Sequence, residues 1–128
     1  MAKILLIEDE LSIQQLYKLI LTKHHLEVDT ADDGEIALQK LLHGTPDYNL
    51  ILLDLMLPKV DGISVLKQIK AENSPVKQIP VFLITNLGQE SMISEALELG
   101  AAQYWVKSQI NPVQLAQEVA DFLKNSNK

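Results

Sequence analysis

The sequence predicts an α/β fold, in which one sheet of five parallel strands is covered by helices on both faces. Apolar runs of strand length alternate strictly with stretches whose apolar residues recur every three or four positions, as on one face of a helix. Such alternation is typical of a parallel sheet with helical connections. The 128 residues, 47% of them hydrophobic, suffice for one core, so we assign residues 1–125 to a single domain and 126–128 to a C-terminal tail.

The individual elements follow from the apolar pattern and from the residues that bound it. Five apolar runs predict strands at Lys3–Ile7, Leu26–Ala31, Asn49–Leu53, Ile79–Ile84 and Gln103–Val106. The helical period predicts helices at Ser12–His24, Asp33–His43, Gly62–Glu72 and Gln89–Leu99, the last of them capped by Gly100. Asn111 and Pro112 mark the start of the fifth helix, because they combine an N-cap residue with a proline at the first helical position.

The apolar content of the strands also predicts their order. The first, third and fourth strands are continuously apolar, as strands buried on both faces should be. The second strand alternates and the fifth is mixed, so we place both at the edges. The resulting order 2-1-3-4-5 is that of a doubly wound, flavodoxin-like three-layer sandwich of (βα)5 type. Ligands of this fold bind beyond the carboxyl ends of the first and third strands.

Composition excludes several classes of function. The 11 basic residues are all lysines, and 17 acidic residues give a net charge of −6, which argues against direct nucleic-acid binding. The absence of cysteine excludes disulfides and thiolate catalysis. No apolar run is long enough for a membrane span, and the N-terminus lacks the pattern of a secretory signal. We therefore expect a cytoplasmic protein without membrane contact.

Acidic residues follow the first and third strands, where the order above predicts a ligand site. The run Glu8–Glu10 follows the first strand and Asp54 follows the third. Carboxylates that converge repel one another unless a cation lies between them. An all-oxygen set without histidine or cysteine suits a hard divalent ion, Mg²⁺ or alternatively Mn²⁺.

A hydroxyl and an ammonium group complete the predicted site. Thr85 follows the fourth strand and Lys107 the fifth, so both reach the same edge of the sheet. A threonine hydroxyl can donate to an oxyanion, and a lysine can neutralise its charge. Carboxylates, metal, hydroxyl and lysine together indicate a phosphoryl-transfer site with Asp54 as the nucleophile.

In this order and spacing, the motifs resemble the receiver domain of two-component response regulators over essentially the whole chain. The matching segments are 4–10, 50–58 with Asp61-Gly62, 80–85 and 100–107. The resemblance implies a CheY-like phosphorylation switch in a phosphorelay. In such a switch, Asp54 takes a phosphoryl group from the phosphohistidine of a sensor histidine kinase or a phosphotransfer protein. It also implies that the chain is no enzyme beyond its own Mg²⁺-dependent phosphorylation and dephosphorylation.

The resemblance further implies a role for each remaining site residue. Glu8 and Asp9 would help to hold Mg²⁺, Asp9 more directly, together with Asp54 and the main-chain carbonyl of Met56. Thr85 and Lys107 would contact the phosphoryl oxygens.

Tyr104 would be the aromatic switch that turns inward when Thr85 moves. The face of helix 4, strand 5 and helix 5 would then bind an output protein, and the resemblance allows a phosphorylation-dependent homodimer. By alternation along its strand, Trp105 is predicted to be core.

Three departures from the family pattern affect these expectations. Ser108 stands where the family usually has a proline in a cis bond, and Asn86 where it has a small residue. Met56 and Leu87, two positions beyond Asp54 and Thr85, are apolar and cannot orient an attacking water. We therefore expect a long-lived acyl phosphate.

Other classes fit the residues less well. A phosphatase of the haloacid-dehalogenase type needs a second acid at position 56, and an FMN phosphate would be repelled by the acids after the first strand. A pseudo-receiver that docks partners without phosphoryl chemistry remains the alternative. Whether the chain acts alone or is part of a longer regulator stays open.

Overall fold

A computed structural model of the chain describes residues 1–43 and 46–126. Its strands are β1 (Lys3–Ile7), β2 (Glu27–Ala31), β3 (Leu50–Asp54), β4 (Val81–Thr85) and β5 (Gln103–Val106). Its helices are α1 (Leu11–Thr22), α2 (Gly34–Leu42), α3 (Gly62–Ile69), α4 (Glu90–Leu99) and α5 (Pro112–Ser126), and a short 3₁₀ turn, Lys107–Gln109, follows β5. Residues 127 and 128 of the predicted tail lie outside the described residues. Among the residues that the structure describes, no helix is long and apolar enough to cross a membrane.

The sheet has the strand order β2-β1-β3-β4-β5 with every neighbouring pair parallel, so the predicted fold class is confirmed. Ile7 pairs with Leu53 across β1 and β3, and Asp54 pairs with Ile84 across β3 and β4. This register places the carboxyl ends of the three central strands side by side. The loops that follow them therefore open onto one common edge.

Two apolar cores lie on opposite faces of the sheet. One packs α2, α3 and α4 against side chains such as Leu5 and Leu53, and the other packs α1 and α5 against Leu6 and Phe82. Trp105 belongs to the second core, where its ring lies 5.3 Å from that of Phe82, whereas its neighbour Tyr104 is exposed. The prediction that Trp105 points inward is confirmed.

The boundaries differ from the predictions where hydrogen bonds continue or tighten. Asp54 and Thr85 end their strands instead of following them, because Asp54 still pairs with Ile84 and Thr85 with Val106. α1 ends two residues before the predicted His24, in a tight turn in which the amide of His24 donates to the carbonyl of Leu21.

α3 also ends early, at Ile69 instead of Glu72. The next residue, Lys70, turns its side chain back, and its ammonium donates to the carbonyls of Lys77 and Ile79 ahead of β4. The predicted caps are present, since Asn111 accepts from the amide of Val113 and Gly100 has φ +117°.

The start of α3 lies directly against the end of β3. The Gly62 amide donates to the Leu55 carbonyl at 3.0 Å. A Cβ at position 62 would lie 2.5 Å from the Leu55 Cα and 2.6 Å from the Asp54 carbonyl oxygen. Only glycine allows this approach, which fixes the chain immediately after Asp54.

We expect Gly62→Ala to lower the free energy of unfolding by about 1–3 kcal/mol, because backbone atoms must move to admit the methyl group. Urea denaturation of the purified variant measures the loss. Gln68→Ala, an exposed change on the same helix, serves as the matched control and should leave stability nearly unchanged. A Gly62→Ala protein as stable as this control would show that the contact is not restrictive.

Candidate functional site

Five of the predicted site residues lie at the carboxyl edge of the sheet. Glu8 follows β1, Asp54 and Thr85 end β3 and β4, and Lys107 follows β5. Glu8, Asp54 and Thr85 are buried, whereas Asp9 is exposed to solvent. The site is therefore a shallow acidic depression with one wall of buried polar groups and one open side.

Glu8, Asp9 and Asp54 each place one carboxylate oxygen within 4.8 Å of the others. Like charges at this spacing repel strongly when two of them are shielded from water. Three carboxylate oxygens form the donor set that hard divalent cations prefer, and the open side leaves room for water ligands. The residues thus fit a divalent metal site.

Lys107 lies between two of these acids. Its ammonium nitrogen is 2.8 Å from Glu8 Oε1 and 3.0 Å from Asp54 Oδ2. Burial alone would lower the Lys107 pKa, but the hydrogen bond to Glu8 and the charge of Asp54 outweigh it, so the pKa is raised. The lysine stays charged and offsets part of the acid repulsion.

Burial raises the pKa of Glu8 to about 7, and the charge of Asp54 adds to the rise while the hydrogen bond with Lys107 opposes it. The two carboxylates therefore compete for one ammonium. A further cation at this point would relieve that competition, which is the electrostatic reason to expect one.

Both oxygens of Asp54 are engaged in the structure. Oδ2 accepts from Lys107, and Oδ1 accepts from the main-chain amide of Met56 at 3.1 Å. These two bonds restrain the position of the carboxylate. The side chain of Met56, two residues after Asp54, is exposed, as is that of Leu87, two residues after Thr85.

The hydroxyl of Thr85 is fully buried and has no hydrogen-bond partner among the described residues. Thr85 follows Ile84, the residue that pairs with Asp54, so it lies next to the acids in the sheet. A buried polar group without a partner is costly, and such groups in native structures call for an explanation. A ligand oxygen placed beside Asp54 would provide the missing partner.

Tyr104 is the one predicted residue that the structure leaves outside the depression. It lies on the surface of β5, 44% exposed. The described part of the chain contains no cis peptide bond, so the bond between Lys107 and Ser108 is trans.

Sequence reasoning missed Gln14, a buried polar residue on the inner face of α1. Its amide nitrogen donates to the main-chain carbonyl of Glu8 at 3.0 Å and to Asp32 Oδ1 at 2.8 Å. Gln14 stands three and seven positions before Tyr17 and Leu21, which are buried on the same face. A glutamine at a core position of a helix was the signal that could have revealed it.

Comparison with known proteins places this geometry in a family. The family model described as the response regulator receiver domain matches residues 4–120. The transcriptional regulatory protein ResD of Bacillus subtilis (strain 168) is 33% identical over 98% of this chain and 50% of its own length. The alkaline phosphatase synthesis transcriptional regulatory protein PhoP of the same strain is 39% identical over 97% of this chain and 49% of its own. The chain thus spans about half the length of these curated relatives.

Among solved structures, the Mn²⁺-bound form of the response regulator Rcp1 is similar along nearly its full length. It shares 34% identity, with a TM-score of 0.83 over 95% of this chain and 94% of that one. The structural match covers nearly the whole chain, and the family that it indicates is the one that the family model matches.

We expect the stability of the metal-free protein to fall as pH rises from about 4.5 to 7. The folded-state pKa of Glu8 is raised from 4.5 to about 7, so the folded protein binds this proton more tightly than the unfolded chain. The stabilisation is complete below 4.5 and is lost as pH rises through the folded pKa.

Urea unfolding between pH 4.5 and 8 with a chelator present measures this slope. Glu8→Gln should flatten it, whereas Glu35→Gln, at an exposed position on α2, should keep it. An unchanged slope in Glu8→Gln would show that the raised pKa of Glu8 is not the cause of this pH dependence.

Proposed function

The chain belongs to the response regulator receiver family, and on that premise we propose that it is a phosphorylation-dependent switch with Asp54 as the phosphoryl acceptor. The observation that carries the proposal is the pairing of an engaged carboxylate with an unpartnered donor. Asp54 is held by Lys107 and by the Met56 amide, while the buried Thr85 hydroxyl at the end of the neighbouring strand has no hydrogen-bond partner among the residues that the structure describes. Phosphorylation-based signalling through a histidine kinase follows from the family.

In the proposed reaction, a carboxylate oxygen of Asp54 attacks the phosphorus of a phosphohistidine. The new P–O bond forms as the P–N bond breaks, and the imidazole nitrogen keeps the electron pair and takes a proton. Lys107 is already charged and within reach of the Asp54 oxygens, so it can pair with the acyl phosphate without titrating. Thr85 is placed to donate to a phosphoryl oxygen.

Mg²⁺ is the cofactor that this proposal includes, with Mn²⁺ as a substitute. Glu8, Asp9 and Asp54 would hold it, together with the Met56 main-chain carbonyl that the family resemblance implies. When bound, the ion supplies positive charge that stabilises the phosphoryl oxygens during transfer. Its charge would also offset the repulsion between the carboxylates that remains beside Lys107.

The output step of the proposal is a rearrangement around Thr85. Phosphorylation adds nearly two negative charges and three acceptor oxygens at Asp54, which attract the Thr85 hydroxyl. Its movement frees space that the exposed Tyr104 ring can enter. Exposed apolar side chains already lie on α4, β5 and α5, namely Leu97, Tyr104 and Val113. We propose this face as the partner surface.

We expect one phosphoryl group per chain when the protein is treated with phosphoramidate and Mg²⁺, and none with a chelator. Intact-mass spectrometry detects the adduct directly. Asp54→Asn should show no adduct, whereas Asp121→Asn, the same change on the exposed face of α5, should react like the wild type.

No adduct on folded wild-type protein would favour the pseudo-receiver, a docking module without phosphoryl chemistry. A modification that persists in Asp54→Asn would show that another group accepts the phosphoryl.

We also expect the acyl phosphate to be long-lived, because the exposed side chains beside the site, Met56 and Leu87, are apolar and cannot orient a water for hydrolysis. Met56→Gln should shorten the lifetime by supplying an amide that can hold a water there. Leu16→Gln, at an exposed position on α1, is the control. Decay is followed by intact mass after removal of the donor, and a wild-type half-life of seconds would oppose this view.

A further inference from the structure

The turn between β2 and α2, residues 32–34, is connected to both loops that carry the acids. On one side the Gln14 side chain of α1 joins it to the Glu8 carbonyl, and on the other it contacts the β3–α3 loop that follows Asp54 directly. None of its residues belongs to the carboxylate cluster of Glu8, Asp9 and Asp54. These contacts nevertheless connect the two halves of the carboxylate cluster through a third piece of backbone.

Gln14 makes the first connection. One amide nitrogen donates to the Glu8 carbonyl at 3.0 Å and to Asp32 Oδ1 at 2.8 Å, so both of its N–H groups are used. Gln14 is buried, with only 7% of the residue exposed. The Glu8 amide adds a further bond to the carbonyl of Ala31, the residue just before the turn, at 3.1 Å.

The second connection runs from the start of α2 to the β3–α3 loop. A Cβ at Gly34 would lie 2.0 Å from the Val60 carbonyl oxygen, so the two backbones are in direct contact. Beside them, the Lys59 ammonium is 3.4 Å from Asp33 Oδ2. Lys59 has φ +66°, a conformation that is uncommon for a residue with a side chain, and the ion pair accompanies it.

We propose that Gln14 is a positioning residue for the divalent cation, acting through the turn of residues 32–34. The inference rests on the proposed function, because it concerns the geometry of that same site. Glu8 and Asp9 sit on one loop and Asp54 on another, and their mutual repulsion tends to separate the loops. The turn holds both loops from outside the depression, and Gln14 is its hydrogen-bonded link to the Glu8 backbone.

The chemistry of the cation explains why such a link matters. Mg²⁺ requires near-ideal octahedral geometry, so small displacements of its carboxylates weaken binding. Groups that orient metal ligands from behind typically change affinity 10- to 100-fold when removed. Loss of the Gln14 donors should therefore act on metal affinity more than on folding.

The test uses calorimetric titration of the metal-free chain with MgCl₂. Gln14→Met keeps the side-chain length and removes both donors, and we expect about tenfold weaker binding. Gln15→Met is the matched control, the same substitution at the next, exposed position of α1.

A second variant guards against misfolding at the buried position. Asp32→Ala removes the acceptor from the exposed end of the link, and we expect a smaller loss in the same direction. Urea unfolding of every variant establishes that the titrated protein is folded. A purely structural role would lower the unfolding midpoint without changing the Mg²⁺ dissociation constant of the folded protein.

Each outcome decides the matter. Equal Mg²⁺ affinity in Gln14→Met and Gln15→Met would overturn the inference and leave the proposed function intact, provided the wild type still forms its Mg²⁺-dependent adduct. Wild-type protein that bound no Mg²⁺ would overturn both.

Discussion

The structure depends on holding three carboxylates together against their own repulsion. Glu8, Asp9 and Asp54 have oxygens within 4.8 Å of one another, and two of the three are cut off from bulk water. The parallel register of the central strands makes this convergence unavoidable, because their carboxyl ends share one edge. Lys107, just after β5, offsets part of the negative charge, and Gln14 on α1 donates a hydrogen bond that restrains the Glu8 backbone. The sheet brings the carboxylates close together, and contacts from the neighbouring segments offset their repulsion.

The two sides of the site differ in how firmly they are held. On the acidic side, each loop is tied by main-chain bonds, and glycines at positions 34 and 62 allow backbones to touch. On the other side, the Thr85 hydroxyl is without a partner in the described part of the chain, and Tyr104 points to solvent. A site in which the acidic loops are firmly held and a neighbouring hydroxyl lacks a partner is suited to a response to a new anion. The Thr85 hydroxyl would gain a hydrogen-bond acceptor from that anion.

The fold could be predicted well from the sequence because its signals are local. Continuous apolar runs marked the central strands, and Gly100 and Asn111 marked helix boundaries that the structure confirms. The exact ends were harder, since Asp54 and Thr85 belong to the ladder only through partners distant in sequence. Gln14 was missed for the same reason, because its two acceptors lie on separate loops. The grouping of the acids with Lys107 was foreseen from topology, whereas the lysine's bond to Glu8 appears only in three dimensions.

Trp105 gives the molecule a built-in optical probe. It is the single tryptophan of the sequence, it packs edge-on against Phe82, and it lies two residues before Lys107. Indole emission responds to the polarity and charge of its surroundings, and all of the tryptophan emission of the protein originates on β5, between the outward tyrosine and the lysine of the acidic depression. Changes at either end of that strand can therefore be followed in real time on the unlabelled chain, with no dye and no added chromophore.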